Sequence, residues 1–242
     1  MAPGPNTDDR RVVAGMAAQG RLRESRLQAG ERRVGWKAGL GTAAAMEAAS
    51  IAAPLAGFLT DASLASAMTA SDGLSIEAWG GAKLEAEVAV RVDRDVPAGS
   101  DREAVGAAIA EIAPAIEIVD LGDAGDIEQV LADNLFHRAF LFGEFAPVAA
   151  ADLAGARLAV HQDGQDARAG IDPAALLGDL VEVVRALADQ IPLSGDELQA
   201  GDVVMTGSAI APVALRGGER FEVALEGDGG VELAIAPNRG TG

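Results

Sequence analysis

The segment from Gly81 to Val92 alternates apolar and non-apolar residues, which is typical of a β-strand with two different faces. One face carries Leu84, Ala86, Val88, Val90 and Val92. Glu85 and Glu87 must point together to the other face, because side chains in a strand alternate with a period of two. Their carboxylates are then close enough to share one cation.

A third acid, Glu117, lies in a second apolar run between Ile116 and Ile118. A carboxylate in such surroundings needs a partner, since burying it unpaired is costly. A Glu-x-Glu pattern alone is more typical of the solvated face of an antiparallel sheet. Three carboxylates without a thiol or a nearby histidine favour a hard divalent ion instead. We therefore predict that Glu85, Glu87 and Glu117 bind Mg²⁺ or Mn²⁺.

Length and composition limit the class of protein. With 242 residues, 49% of them hydrophobic, the chain is long enough for one large core. We expect a single catalytic domain over 1–242, with an N-terminal helical segment at 1–32 and a β-rich core at 33–242. The formal charge of -18 repels nucleic acid and anionic membranes, so we expect neither as a partner. The absence of cysteine and of a visible signal peptide fits a soluble, cytoplasmic protein.

Many short strands and few helices predict a β-rich α+β fold rather than βαβ repeats. Among the helices, Asn6 or Thr7 is expected to cap the first, and Thr42 a short one that reaches Ala49. Capping-box spacing at Ser100 and Glu103 predicts a helix that carries Val105, Ile109 and Ile112 and stops at Pro114. A later helix is predicted at Pro173–Gln190. Later strands are predicted at 140–143, 157–160, 203–206, 221–225 and 231–235.

Four motifs follow one another along the chain: Gly35–Gly41 with Lys37, the Glu-x-Glu strand, Ala132-Asp-Asn134, and Leu198–Ser208. In this order they resemble the 2-keto-4-pentenoate hydratase and 4-oxalocrotonate decarboxylase group of the fumarylacetoacetate hydrolase superfamily. The resemblance covers about 33–225. It implies a twisted, mixed β-roll or sandwich with peripheral short helices, like the C-terminal domain of fumarylacetoacetase.

The resemblance also implies roles for single residues. Lys37 matches a lysine that transfers a proton or orients the substrate, and Lys83 stands where relatives often carry a basic residue. Either would offset the negative charge that three carboxylates and one divalent ion leave. Asp61 matches an acid that some hydratases carry, although a loop-capping aspartate explains it equally well. For Lys83 the alternative is a solvated lysine at the end of a strand.

Pocket walls are implied at Asn134, Thr206 and Gly207, whose amide, hydroxyl and backbone N–H groups can bind substrate oxygens. Turn formation is the alternative for all three. The segment after Asn134 departs from the smaller, more polar residues expected in the hydratases. His137 in this segment either lines the pocket as an acid or base, or packs beside Phe136 and Phe140.

These assignments predict a metal-dependent hydro-lyase that hydrates a 2-hydroxy-2,4-dienoate to a 4-hydroxy-2-oxo acid through an enolate that the ion stabilises. Decarboxylation of a 4-oxalocrotonate-like 2-oxo-enedioate is the alternative. Hydrolysis of an acylpyruvate ranks third, because hydrolase relatives use a His–Glu pair and no histidine precedes residue 137. A scaffold partner of a decarboxylase or an oxo-acid-binding protein is the non-enzymatic alternative. We expect a homo-oligomer, with a complex with a pathway enzyme as a further option.

Overall fold

The computed structural model describes residues 4–68, 73–121, 125–226 and 229–238, and within them the chain forms two β-sheets and several short helices. The first sheet has eight strands, in the order β2-β1-β9-β3-β4-β5, with β10 beside β3 and β6 beside β4. The second has four, in the order β12-β11-β7-β8. The strands are β1 Arg33–Gly39, β2 Leu55–Thr60, β3 Ala82–Val92, β4 Ile109–Asp120, β5 His137–Phe142, β6 Ala146–Pro147, β7 Leu158–Gln162, β8 Gln165–Ile171, β9 Val203–Ser208, β10 Val213–Ala214, β11 Arg220–Leu225 and β12 Gly230–Ala234.

The large sheet curls into a roll. Leu64, just beyond β2, pairs with Phe140 in β5, so the two edges of the sheet approach each other. The same curl brings Lys37 of β1 against Glu117 of β4, although β9 and β3 separate these strands in the sheet.

The two faces of the large sheet differ as the alternation in β3 predicted. Leu84, Ala86 and Val88 point outward into the main core, which the four-stranded sheet and the helices cover. Glu85, Glu87 and Ala89 point inward. The inner face also carries a smaller apolar cluster that consists of Leu59, Ala89, Ala115, Phe140, Val203 and Met205. The β-rich α+β fold with a twisted roll and peripheral helices is confirmed. The inner face of its roll carries these two glutamates as well as the apolar cluster.

Helices in the described residues are α1 Arg10–Gln28, α2 Ala43–Ala49, α3 Ala65–Met68, α4 Arg102–Ala108, α5 Ile127–Ala132, α6 Pro173–Leu177 and α7 Leu180–Gln190. None of them is both long and apolar enough to cross a bilayer. Thr42 caps α2 as predicted. The cap of α1 is Asp9 rather than Asn6 or Thr7, because the Asn6 side chain instead bonds the backbone of Ala52 and Ala53.

Two other helix predictions were wrong. Asp101, not Ser100, caps α4, and the helix ends at Ala108 because Ile109 and Ile112 pair with β3 as part of β4. Pro114 therefore lies inside a strand. Its carbonyl oxygen accepts a hydrogen bond from Gly143 N between β5 and β6, so its missing N–H faces a gap in the ladder. The predicted helix 173–190 is two helices, since Gly178 adopts φ 76° and ψ -152° between them.

Candidate metal and substrate site

Glu85, Glu87 and Glu117 meet on the inner face of the roll. Glu85 and Glu117 lie directly opposite each other in the antiparallel pair β3–β4, and Glu87 follows two residues along β3. One oxygen from each carboxylate can be chosen so that all three lie within 4.8 Å of one another. Glu87 and Glu117 are fully buried, whereas Glu85 is partly exposed. The predicted cluster of three carboxylates is thus formed by two neighbouring strands.

A β-bulge in β9 supports Glu87. Glu87 and Ala89 are two residues apart in β3, but their partners in β9, Ser208 and Met205, are three residues apart. The extra residue turns the Gly207 N–H toward Glu87, whose Oε2 accepts its hydrogen bond at 2.8 Å. Gly207 has φ 102°, and a Cβ there would lie 3.2 Å from Leu177 Cδ2. Only glycine fits this position without strain.

Lys37 is the cation inside the cluster. Its Nζ donates to Glu117 Oε1 at 2.6 Å and to the Leu135 carbonyl oxygen at 3.3 Å, and its side chain is 2% exposed. Gly57 in the neighbouring strand β2 pairs with Lys37, and a Cβ on this glycine would lie 3.0 Å from Lys37 Cγ. Lys37 lies in the middle of β1 and is held from two sides.

A second bulge turns His137 inward. Ile118 and Val119 pair with Ala139 and His137, so Arg138 is the extra residue in β5. His137 Nδ1 lies 2.7 Å from Glu117 Oε1, and Nε2 lies 2.9 Å from Ser63 Oγ. His137 and Ser63 are both buried. Of the two alternatives for His137, the structure places it in the site, in contact with a carboxylate, and also near the ring of Phe140.

The charges of the cluster shift one another's pKa. Burial raises the pKa of Glu85 to about 7, the Glu117 charge adds to this, and Lys37 and Lys83 oppose it. Burial, together with Glu117 and Glu85, raises the pKa of Glu87 well above its usual range. Burial acts the same way on Glu117, but Lys37 and His137 outweigh it and hold its pKa below the usual value.

The two basic groups respond to the same surroundings. Burial favours neutral Lys37, but the charges of Glu117, Glu85 and Glu87 outweigh burial and raise the lysine pKa. Burial lowers the pKa of His137, with Glu117 opposing it. The ammonium of Lys37 therefore stays charged beside the carboxylates.

The chemistry of these residues fits a divalent cation. Glu87 Oε1 and Glu117 Oε2 are buried and have no hydrogen-bond partner. Buried carboxylate oxygens without partners are costly, and one lysine cannot balance three acids. An all-oxygen donor set suits Mg²⁺ or Mn²⁺ better than zinc or copper. These two oxygens, with Glu85, are the positions at which an ion would be held.

The other predicted residues take different positions. Asn134 Oδ1 accepts from Phe58 N at 2.8 Å while its Nδ2 donates to Phe58 O at 2.9 Å, so the amide clamps β2. Thr206 Oγ1 donates to the Val88 carbonyl oxygen. Both side chains thus bond the backbone of strands that are far away in the sequence, rather than that of a local turn. Substrate binding by either stays a prediction.

Asp61 and Lys83 lie toward the surface. Asp61 accepts hydrogen bonds from Arg32 N and Nε, both at 2.7 Å, as expected of a loop-capping aspartate. Lys83 is on the inner face two residues before Glu85 and lines a cavity of about 220 Å³ together with Trp79 and Leu215. A catalytic role for Asp61 and a substrate contact for Lys83 remain predictions.

Sequence reasoning did not include Ser63 and the Leu135 carbonyl among the site residues, and it left the role of His137 open. Asn134, Leu135 and Phe136 all have positive φ, between 52° and 63°, which is rare for leucine and phenylalanine. Asparagine at the start of this turn was the one local signal. His137 points inward because β5 has a bulge relative to β4. The alternation of residues in β5 does not predict this bulge.

Comparison with known proteins supports the family resemblance that the sequence motifs indicated. Residues 34–236 match the fumarylacetoacetate (FAA) hydrolase C-terminal family. The chain is 34% identical over 218 residues to 2-hydroxyhexa-2,4-dienoate hydratase of Comamonas testosteroni, covering 86% of this chain and 79% of the relative. It is 32% identical to 2-keto-4-pentenoate hydratase 2 of Dechloromonas aromatica (strain RCB), covering 87% and 80%.

A solved structure, 4-oxalocrotonate decarboxylase from Pseudomonas putida G7 complexed with magnesium and adipate, matches with a TM-score of 0.78. It shares 27% identity, and the match covers 90% of this chain and 83% of the decarboxylase. The similarity therefore extends through both sheets rather than through one motif.

Proposed function

We propose that this chain, which belongs to the fumarylacetoacetate (FAA) hydrolase C-terminal family, is a divalent-metal-dependent lyase. It adds water to a 2-hydroxy-2,4-dienoate and forms a 4-hydroxy-2-oxo acid. The observation that carries the proposal is the inward cluster of Glu85, Glu87 and Glu117 with Lys37 bonded to it. The names of the two hydratase relatives support the same substrate class.

The three carboxylates would hold Mg²⁺ or Mn²⁺ through Glu85, Glu87 Oε1 and Glu117 Oε2. When bound, the ion supplies a Lewis acid that stabilises negative charge on the 2-oxygen of the substrate. Gly207 fixes the orientation of Glu87 through its N–H, and Lys37 fixes that of Glu117. These supports preorganise the carboxylates before the ion and the substrate arrive.

Lys37 makes the site able to accept an anion. Three carboxylates and one divalent ion leave a net charge of about -1, and the Lys37 ammonium brings it close to zero. The reaction first moves a proton from the 2-hydroxyl group to the far carbon of the diene, and water then adds at carbon 4. Lys37 is a buried group that can hold or donate a proton beside the developing enolate.

The inward residues around the carboxylates favour a substrate with one carboxylate and an apolar tail. Phe140, Met205 and Leu59 line the inside of the roll next to Glu87 and Glu117. The alternative, decarboxylation of a 2-oxo-enedioate, has a specific observation in its favour. Lys83 lies on the same face near Glu85, where a second carboxylate could reach it. A decarboxylase is also among the solved structures that match, at 27% identity.

The purified protein can be tested directly on both substrate classes. With Mg²⁺, a monocarboxylic 2-hydroxydienoate should lose its conjugated absorbance without release of carbon dioxide. Chelation should abolish this, and Mg²⁺ or Mn²⁺ should restore it. Carbon dioxide equal to the substrate consumed, from a dicarboxylic oxo-acid only, would move the assignment to the decarboxylase. Absence of turnover on either class would favour a scaffold or binding protein.

The organisation of the whole protein is part of the proposal. We expect one catalytic domain over 1–242, a cytoplasmic location and a homo-oligomer. Light scattering on the purified protein measures its mass in solution, and a mass equal to one chain would contradict the oligomer.

A further inference from the structure

The two oxygens of Glu117 have different surroundings. Oε1 lies 2.6 Å from Lys37 Nζ and 2.7 Å from His137 Nδ1, whereas Oε2 is buried and has no partner. A carboxylate held by an ammonium at this distance is ionised and has no proton to give. His137 Nδ1 must therefore be the donor, which assigns the proton to that nitrogen.

The far side of the imidazole is also fixed. Nε2 lies 2.9 Å from Ser63 Oγ, which in turn lies 3.0 Å from the Thr60 carbonyl oxygen. Ser63 is in the short turn Asp61–Ser63 that follows β2, while His137 is at the bulged start of β5. The chain of contacts from Thr60 to Glu117 thus crosses the gap between the two edges of the roll. These contacts add to the β4–β5 pairing that holds Glu117.

We propose that His137, oriented by Ser63, is a positioning residue that occupies Glu117 Oε1 together with Lys37 and leaves only Oε2 for the metal ion. Glu117 is then a ligand through one oxygen, held at a fixed angle. This inference rests on the proposed metal site but not on the identity of the reaction. Groups that bond a metal-ligating carboxylate from behind commonly change metal affinity about 10- to 100-fold when removed.

Two substitutions of His137 separate its two nitrogens. The amide of His137→Asn can take the place of Nδ1 and donate to Glu117 Oε1, whereas the amide of His137→Gln takes the place of Nε2 and reaches Ser63 instead. The measurement is Mn²⁺ affinity of the metal-free protein without substrate, by calorimetry. His137→Gln should weaken Mn²⁺ binding roughly 10- to 100-fold, and His137→Asn should stay close to the unmodified protein.

Three further measurements complete the test. Ser63→Ala, a small change, should weaken Mn²⁺ binding in the same direction as His137→Gln but by less. His161→Gln removes the other of the two histidines, in β7 of the second sheet, and should leave the affinity unchanged. Thermal unfolding of each metal-free variant shows whether it is folded. If His137→Gln does not fold, the Mn²⁺ affinity of Ser63→Ala tests the positioning role instead.

The outcomes distinguish this inference from the proposed function. Equal Mn²⁺ affinity in folded His137→Gln, Ser63→Ala and the unmodified protein would overturn the positioning role. The same loss in His137→Asn as in His137→Gln would also overturn it, because packing rather than the Nδ1 bond would then be responsible. If Mn²⁺ binding responds as expected but no dienoate is turned over, the positioning role stands and the proposed reaction fails.

Discussion

At the scale of single residues, the buried ion pair between Lys37 and Glu117 is the contact most open to test. Lys37→Met keeps most of the apolar stem but leaves three carboxylates without an internal cation. Removing one partner of a buried pair typically costs about 3–5 kcal/mol, so we expect the metal-free variant to unfold at markedly lower urea concentration. Mg²⁺ should recover part of this stability, and turnover should fall by about a hundredfold or more.

Lys83→Met is the matched control, because it removes the same charge from a partly exposed lysine on the same face. Its stability should change by no more than about 0.5 kcal/mol. Urea unfolding with and without Mg²⁺, beside steady-state turnover, measures both variants. Wild-type turnover in folded Lys37→Met would remove this lysine from the mechanism.

At the scale of elements, we expect a change in the bulge of β9 to weaken metal binding by more than backbone strain alone would. Gly207→Ala places a Cβ at φ 102° and near Leu177, and it disturbs the N–H that holds Glu87. We expect a loss of about 1–3 kcal/mol together with weaker Mn²⁺ binding. Gly201→Ala has comparable strain, at φ 91°, with nothing within 4 Å of the added Cβ. Calorimetry should find Mn²⁺ affinity unchanged there, and an equal loss in both would contradict the role of the bulge.

The elements also show how far sequence reasoning reaches. The strand with Glu85 and Glu87 was predictable, because a period of two over eleven residues admits few other structures. Ile109 and Ile112 fit a helical spacing just as well, and their place in β4 is decided by pairing with β3, which no local pattern contains. The inward turns of His137 and Gly207 depend on bulges, which shift the register of one strand against another. Local periodicity therefore found the three acids but not the groups that hold them.

At the scale of the whole molecule, one small site joins residues that are far apart in the sequence. Lys37, Glu85, Glu117, His137 and Gly207 come from five strands of the roll. A cation that binds only the folded roll stabilises all of these strands together, by an amount set by its concentration relative to its dissociation constant.

The stability of the metal-free protein should therefore depend on pH in a direction set by Glu85. Burial raises its pKa to about 7, with the Glu117 charge adding to the effect, from a model-peptide value of 4.5. An acid with a raised pKa in the folded state contributes stability that is fully present below its unfolded value and is lost as pH rises through the folded one. Between about pH 6 and pH 8 the metal-free protein should lose about 1 kcal/mol that Glu85→Gln does not lose.

Metal binding should remove this slope, because the ion requires the ionised carboxylates and its affinity rises as protons leave them. With saturating Mg²⁺, the unfolding free energy should stay nearly constant from about pH 6 to about pH 8, because Glu85 is then ionised in both the folded and the unfolded protein. Mg²⁺ binding near the lower pH should release protons into the buffer. Urea unfolding across this range, with and without Mg²⁺, measures the two slopes for the unmodified protein and for Glu85→Gln. Parallel slopes in all four series would mean that Glu85 does not change its protonation on folding and is not a ligand.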